Sequence, residues 1–170
     1  MPVYIALLRA VNVGGTGLLP MAELKAMCEA EGFARVQTYI ASGNVVFSAR
    51  PSAAKVKAAL EKRLQARAGK PMRVAVRTAD EMEAVLKANP FPGAPAKRVV
   101  AIFLDDAPPG DAPDQARGQG NEEIRVGRRE IYVRYGEDMG RSKLDIPAAR
   151  TGTARNMNTV AKLVELARSR

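Results

Sequence analysis

The chain contains no histidine, no tryptophan and a single cysteine, and each gap closes off a class of chemistry. Without imidazole, neither the zinc patterns built on His nor the triads and dyads that use His as base can be assembled. Cys28 alone cannot form an internal disulfide. Its place on an apolar helical stripe, with no activating base, assigns it to core packing. Four Phe and four Tyr are the whole aromatic complement of 170 residues, so Val, Ile, Leu, Ala and Met must fill the interior. No apolar run approaches the roughly 20 residues of a membrane helix. The Met1 end also lacks the basic-then-apolar pattern of a secretory signal, so the expected protein is cytoplasmic, with no membrane partner.

What is present is enough for a core. At 46% hydrophobic content the chain can bury one without disulfide or metal, as one domain or two packed halves. The formal charge of +9 is unevenly spread: residues 51–100 carry +7, and the segments before and after them +1 each. Such an excess could attract a nucleic acid or another anionic partner, although a solvated helix face in an Arg- and Ala-rich composition is the simpler account.

The order of elements follows from periodicity and turn chemistry. Val3 to Val11 reads as a strand apolar on both faces, which places it centrally. The loop Asn12 to Gly17 follows, then a helix entered at Pro20 that carries Leu24, Met27 and Cys28 on one stripe and stops at Gly32. Val36 to Ala41 and Val45 to Phe47 are strands separated by Ser42-Gly43-Asn44, the composition of a tight turn. Ser52 caps a second helix with Val56, Leu60 and Leu64 inward and Lys55, Lys57, Lys62, Arg63 and Arg67 toward solvent. Met72 to Arg77 is a fourth strand.

That order, βαββαβ, is the ferredoxin-like or α/β-plait arrangement, with an expected sheet order of 4-1-3-2. The second half opens on a capping box, Thr78-x-x-Glu81, and a helix bearing Met82, Val85 and Leu86, broken at Asn89-Pro90-Phe91-Pro92. A strand at Val99 to Leu104, a hairpin of Ile124 to Val126 and Ile131 to Val133 turning at Gly127-Arg128, and a helix at Thr159 to Ala167 echo the first half. Asp105 to Gly120, nearly devoid of apolar residues, reads as a mobile surface loop. The expected fold class is therefore α+β: duplicated ferredoxin-like halves, 1–78 and 79–170, packed together as mostly antiparallel sheets with helices.

In such a half the loop at 12–17 and the turn at 42–44 meet at one end of the sheet, close to Arg9. Arg9, Asn12, Gly14, Gly15, Ser42, Gly43 and Asn44 could there offer a cation, amides and backbone N–H groups to an anion. The glycines complete neither a dinucleotide fingerprint nor a P-loop, since Pro20 stands beyond Gly15-x-Gly17 and no Gly-Lys-Ser/Thr occurs. A second polar run, Thr151 to Thr159, enters the last helix. Asn156 or Thr153 there could satisfy helix N–H groups, whereas Arg155 would oppose the helix dipole unless an anion joins it. Asp105 and Asp106 are weak candidates for a cation, and no metal or cofactor is expected.

Leu7-Leu8-Arg9-Ala10-Val11-Asn12-Val13-Gly14-Gly15, Pro20-Met21-Ala22-Glu23-Leu24, Gly32-Phe33, Thr38 to Phe47, Asn89-Pro90-Phe91 and Thr153 to Val160 together resemble the bacterial domain of unknown function 1697 family. The resemblance spans nearly the whole chain. It implies a duplicated ferredoxin-like architecture and no activity. The positions matching the family pattern are Arg9, Asn12, Gly14, Gly15, Ser42, Gly43, Asn44, Arg155, Asn156, Asn158 and Thr159, and these are the candidate ligand-binding residues. The chain departs from the pattern at Ala10, where Gly is usual, at Thr16-Gly17, where a basic stretch is typical, and at Met157, where Trp is common.

The leading functional expectation is a module binding an anionic partner, nucleic acid or a phosphorylated small molecule, with Arg9 and Arg155 converging and the Lys55 to Lys70 helix assisting. One alternative is a transferase or hydrolase acting on a phosphorylated substrate, in which the two arginines stabilise developing charge; it lacks an evident base. The other is a protein–protein module pairing an exposed sheet edge, as monomer or homodimer.

Overall fold

The computed structural model describes residues 1–9 and 18–170. The candidates Asn12, Gly14 and Gly15 lie outside the described residues. The chain divides into two compact units, one of Met1–Met82 with Leu163–Arg170 and the other of Glu83–Lys162. Among the described residues no helix is long and apolar enough to cross a membrane.

In the first unit β1 (Val3–Leu8), α1 (Met21–Ala30), β2 (Ala34–Tyr39), β3 (Asn44–Ser48), α2 (Ala53–Ala68) and β4 (Val74–Thr78) follow the βαββαβ order. Their antiparallel sheet is ordered β2-β3-β1-β4, the expected plait. β1 is central because its residues are apolar on both sides, and Tyr4 through Leu8 are all buried. Tyr4, Ala6 and Leu8 join a cluster with Leu24, Cys28, Val56, Leu60 and Leu64 of the helices. Within it Phe33 stacks on Phe47 with ring centroids 4.5 Å apart, a contribution of about 1 kcal/mol beyond the area buried.

The helix boundaries have the expected chemistry. Ser52 Oγ accepts the Lys55 N–H at the start of α2. Pro20 stands one residue ahead of α1 rather than inside it. α2 is less free on its outer face than its lysines and arginines suggest: Arg63 pairs with Glu31, Arg67 with Glu23 and Lys57 with Glu61. The first two pairs tie α2 to the ends of α1.

At the outer edge, β2 is bulged between Ala34 and Gln37. Arg35 takes a left-handed φ of 53° there, and the Arg170 guanidinium donates to the Ala34 and Arg35 carbonyls. A bulged edge covered in this way is a poor template for pairing with another strand.

In the second unit β5 (Val99–Phe103), β6 (Glu123–Val126), β7 (Glu130–Arg134) and β8 (Thr153–Asn156) form an antiparallel sheet ordered β6-β7-β5-β8, the same plait again. Helices α3 (Ala79–Lys87) and α4 (Met157–Arg168) each follow directly on the last strand of a half, after β4 and β8 respectively. The two crossovers differ from those of the first half. Where α1 and α2 stand there, the second half has only short 3-10 turns, at Ala112–Gln115 on one crossover and at Met139–Arg141 and Pro147–Ala149 on the other.

The segment 105–120, expected as a surface loop, thus contains a 3-10 turn. Its Ala112 is buried against Leu104, Ile124, Ile131, Val133 and Ile146. A small alanine that closes over a sheet carries little hydrophobic signal by itself.

β8 was not anticipated as a strand. Thr-Ala-Arg-Asn has no apolar alternation, and its conformation comes from pairing with β5, Phe103 opposite Thr153 through Val100 opposite Asn156. Tertiary pairing overrides weak propensity at such positions.

Candidate functional site

One end of the first sheet gathers most of the candidates of the N-terminal half. Leu8 N–H donates to the Gly43 carbonyl at 2.8 Å, and Arg9 N–H donates to the Arg73 carbonyl at 3.1 Å. The end of β1 is therefore flanked by the 40–43 turn on one side and the entry to β4 on the other. Arg9 and Arg73 are both exposed, as is Lys70 just before β4. The turn is held from inside. Gly43, at φ 90°, adopts a conformation that a side chain disfavours. Asn44, fully buried, donates through Nδ2 to the Tyr39 carbonyl at 2.8 Å and to Ser42 Oγ at 2.9 Å. Asn44 thus fixes the hairpin from within, which is the ordinary structural use of such a residue. Ile40, exposed at the tip with φ 51°, is the strained member of the turn.

In the second unit Asn156 is the cap of α4, its Oδ1 accepting the Thr159 N–H at 3.0 Å. Asn158 is exposed in the first turn and Thr159 is buried. Arg155 stands near the end of β8. It directly precedes the cap of α4 but is a buried residue of β8, opposite Ala101 in the register, and not an exposed cation. Its Nη1 donates to Thr153 Oγ1 at 2.7 Å and to the Ala154 carbonyl at 2.8 Å. Burial depresses its pKa to about 10, so it remains charged at neutral pH.

The register shows that Arg155 has a counterpart which sequence reasoning passed over. Arg77 lies opposite Ile5, the third residue of β1, as Arg155 lies opposite Ala101, the third residue of β5. Arg77 is 1% exposed and its Nη1 donates to the preceding carbonyl, of Val76, at 3.1 Å. The residue after each arginine caps the following helix: Thr78 exchanges bonds with Glu81 in a capping box, and Asn156 receives Thr159. Buried polar residues also begin β3 and β7, Asn44 opposite Leu7 and Glu130 opposite Phe103. Each sheet therefore carries the same device, a buried arginine and a buried polar residue on one face, separated by the central strand. The signal was available as Val76-Arg77-Thr78 against Ala154-Arg155-Asn156.

The remaining ionisable groups describe the chemistry open to the protein. Cys28 is fully buried and desolvation pushes its thiol up to about 12, so it is a core residue and no nucleophile. Burial also raises Tyr132, whose hydroxyl donates to the Val85 carbonyl at 2.9 Å. Glu122 moves the other way, its carboxyl held below the usual range by the Ser142 hydroxyl. None of these shifts carries a group toward neutrality as a general base requires. Among the described residues no group of three His, Cys, Asp or Glu could hold a metal.

Comparison with known proteins agrees with this architecture. Residues 1–132 match the family model described as protein of unknown function (DUF1697). A solved structure, titled the structure of conserved bacterial protein SP0830 from Streptococcus pneumoniae, superposes with a TM-score of 0.78 at 22% identity and covers 98% of each chain. At that identity the likeness speaks for the fold alone. No curated protein matches the chain.

Proposed function

The chain belongs to the DUF1697 family of proteins of unknown function, and from that premise, which assigns no activity, we propose that it binds an anionic ligand, a nucleic acid or a phosphorylated metabolite, at the basic end of its first sheet. The observation that supports this reading is the neighbouring pair Arg9 and Arg73, both exposed and joined through their backbones at 3.1 Å. Adjacent antiparallel strands lie about 5 Å apart, so two guanidinium groups issue from neighbouring positions beside a hairpin turn. Guanidinium is the side chain best shaped for phosphate oxygens.

α2 contributes less than its composition suggests, because Lys57, Arg63 and Arg67 are engaged by carboxylates. Arg67, in the last turn of α2, also complements the helix dipole, which is reason enough for its charge. Asn44 and Asn156 support the backbone rather than the ligand.

Fluorescence anisotropy with a labelled single-stranded oligonucleotide, and competition by ATP, tests the reading across a salt series. Binding to the wild type is expected to weaken steeply with salt. The double variant R9A/R73A should flatten the slope of log K against log salt by about 1.4, from about 0.7 per phosphate contact on a single strand. Absence of binding, or an unchanged slope in the variant, would overturn it.

A further inference from the structure

The second unit holds a cavity that the anion-binding reading does not use. The chain at 118–122 and at 135–143 lines an open-sided cavity of about 330 Å³, with Glu122, Tyr135, Asp138, Arg141, Ser142 and Lys143 among its walls. That is at the lower end of the volumes that hold small ligands. The two segments are fastened by a reciprocal pair of backbone bonds, Arg117 N–H to the Asp145 carbonyl and Asp145 N–H to the Arg117 carbonyl, both 2.8 Å. Gly118 fits there only because it has no side chain: at φ 66°, a Cβ would stand 2.3 Å from the Lys143 carbonyl oxygen.

Glu122 is the group that needs an explanation. It is 6% exposed although it lies shallow, in the wall of the cavity. One carboxylate oxygen accepts the Gly120 N–H at 2.6 Å and the other accepts the Ser142 hydroxyl. Ser142 is itself oriented by the Leu144 N–H, which donates to it at 3.2 Å. These partners, with the carboxylate's own backbone N–H, are all neutral, so its full negative charge stays in the cavity wall. Fastening two loops together would require only a neutral side chain. These bonds hold the carboxyl in its charged form, so the wall stays anionic at neutral pH.

The rest of the lining is ordered by charge. Tyr135 is half-buried, and burial together with the Glu122 charge raises its pKa, which keeps the phenol protonated. Arg141 and Lys143 are exposed, with Asp138 beside them. The lining thus combines a sheltered carboxylate with two exposed cationic residues and one exposed carboxylate. A simple anion would meet Glu122, and a polyamine would meet Lys143 and Arg141. A small molecule positive at one end and negative at the other satisfies both.

We propose that this cavity binds a small zwitterion of the amino-acid class, its ammonium group received by Glu122 and the Tyr135 oxygen and its carboxylate by Lys143 and Arg141. None of these residues belongs to the Arg9 and Arg73 site, so either assignment stands or falls without the other. Titration calorimetry of the full chain with each of the common L-α-amino acids tests it, with n-propylamine and propionate as half-ligands. At least one amino acid should bind the wild type, and at least tenfold tighter than either half-ligand. E122Q, which retains an acceptor for Gly120 but no charge, should weaken that binding at least tenfold. K143A, a change at an exposed side chain that leaves the carboxylate untouched, should weaken it comparably, with folding of both variants checked by circular dichroism. No heat with any amino acid, or wild-type affinity in both variants, would overturn the assignment.

Discussion

Ser142 shows how one hydroxyl sets the behaviour of a loop-rich region. Its bond to Glu122 is the largest cause lowering that carboxyl below its ordinary value, and the folded state therefore holds the anion more readily than the unfolded chain does. A carboxyl with a depressed folded pKa contributes stability that is fully present above its unfolded value of about 4.3 and is lost as pH falls through the folded value. Replacing Ser142 by Ala should accordingly cost about 1 kcal/mol at neutral pH, less than the roughly 1.5–3 kcal/mol of hydrogen bonds to charged groups because the site is shallow. The cost should shrink as the pH falls below about 4. Urea unfolding of wild type and S142A at neutral and at acidic pH makes the comparison, and an identical difference at both would show that the hydroxyl acts through packing alone. Burial works in the opposite sense on two other side chains: it raises the Cys28 thiol to about 12 and lowers the Arg155 guanidinium to about 10, in each case by penalising the charged form.

The helices that follow each plait are anchored by equivalent caps, and these separate structural polar residues from those left over for a ligand. Thr78 and Asn156 each receive an N–H three residues on, so T78A and N156A should each destabilise the fold by about 1 kcal/mol in chemical denaturation. N156D, an equally good cap, should restore the stability. Affinity for an oligonucleotide should be unchanged in N156A, since the asparagine faces its own helix start; a loss of binding without a loss of stability would return it to the ligand site.

The same elements show what could be read from residues alone. The first half was legible because its signals agree with one another: a doubly apolar Val3 to Leu8, Ser52 at a cap, Ser42-Gly43-Asn44 at a turn. The Thr78 and Glu81 capping box was legible for the same reason. β8 was not, because Thr153 to Asn156 has no alternation and borrows its conformation from β5. Asn156 was legible as a cap but competed with a binding role that used the same atoms, and Arg77 was hidden by being read as one more residue of a strand. The cavity around Glu122 was invisible to any local pattern, since it is assembled from two crossovers separated by a hairpin.

Across the whole chain the excess of +9 sets up a field that would attract any polyanion, and the question is whether affinity belongs to that field or to Arg9 and Arg73. Charge-matched variants decide it. R9A/R73A and K55A/K62A each remove two exposed cations and leave the same net charge, so a purely global attraction would weaken equally in both. A local site beside the adjacent turn would concentrate the effect in the first. The absence of tryptophan makes the readout simple, because the protein absorbs weakly at 280 nm and nucleic acid carried through purification dominates the spectrum. Wild type and K55A/K62A purified at low salt should both retain absorbance at 260 nm that a high-salt wash removes, whereas R9A/R73A should emerge largely free of it. Equal carry-over in the two variants would assign the attraction to net charge and leave the end of the first sheet without a ligand. That outcome would not touch the cavity of the second unit, whose affinity for a small zwitterion depends on the placement of charge and not on its sum.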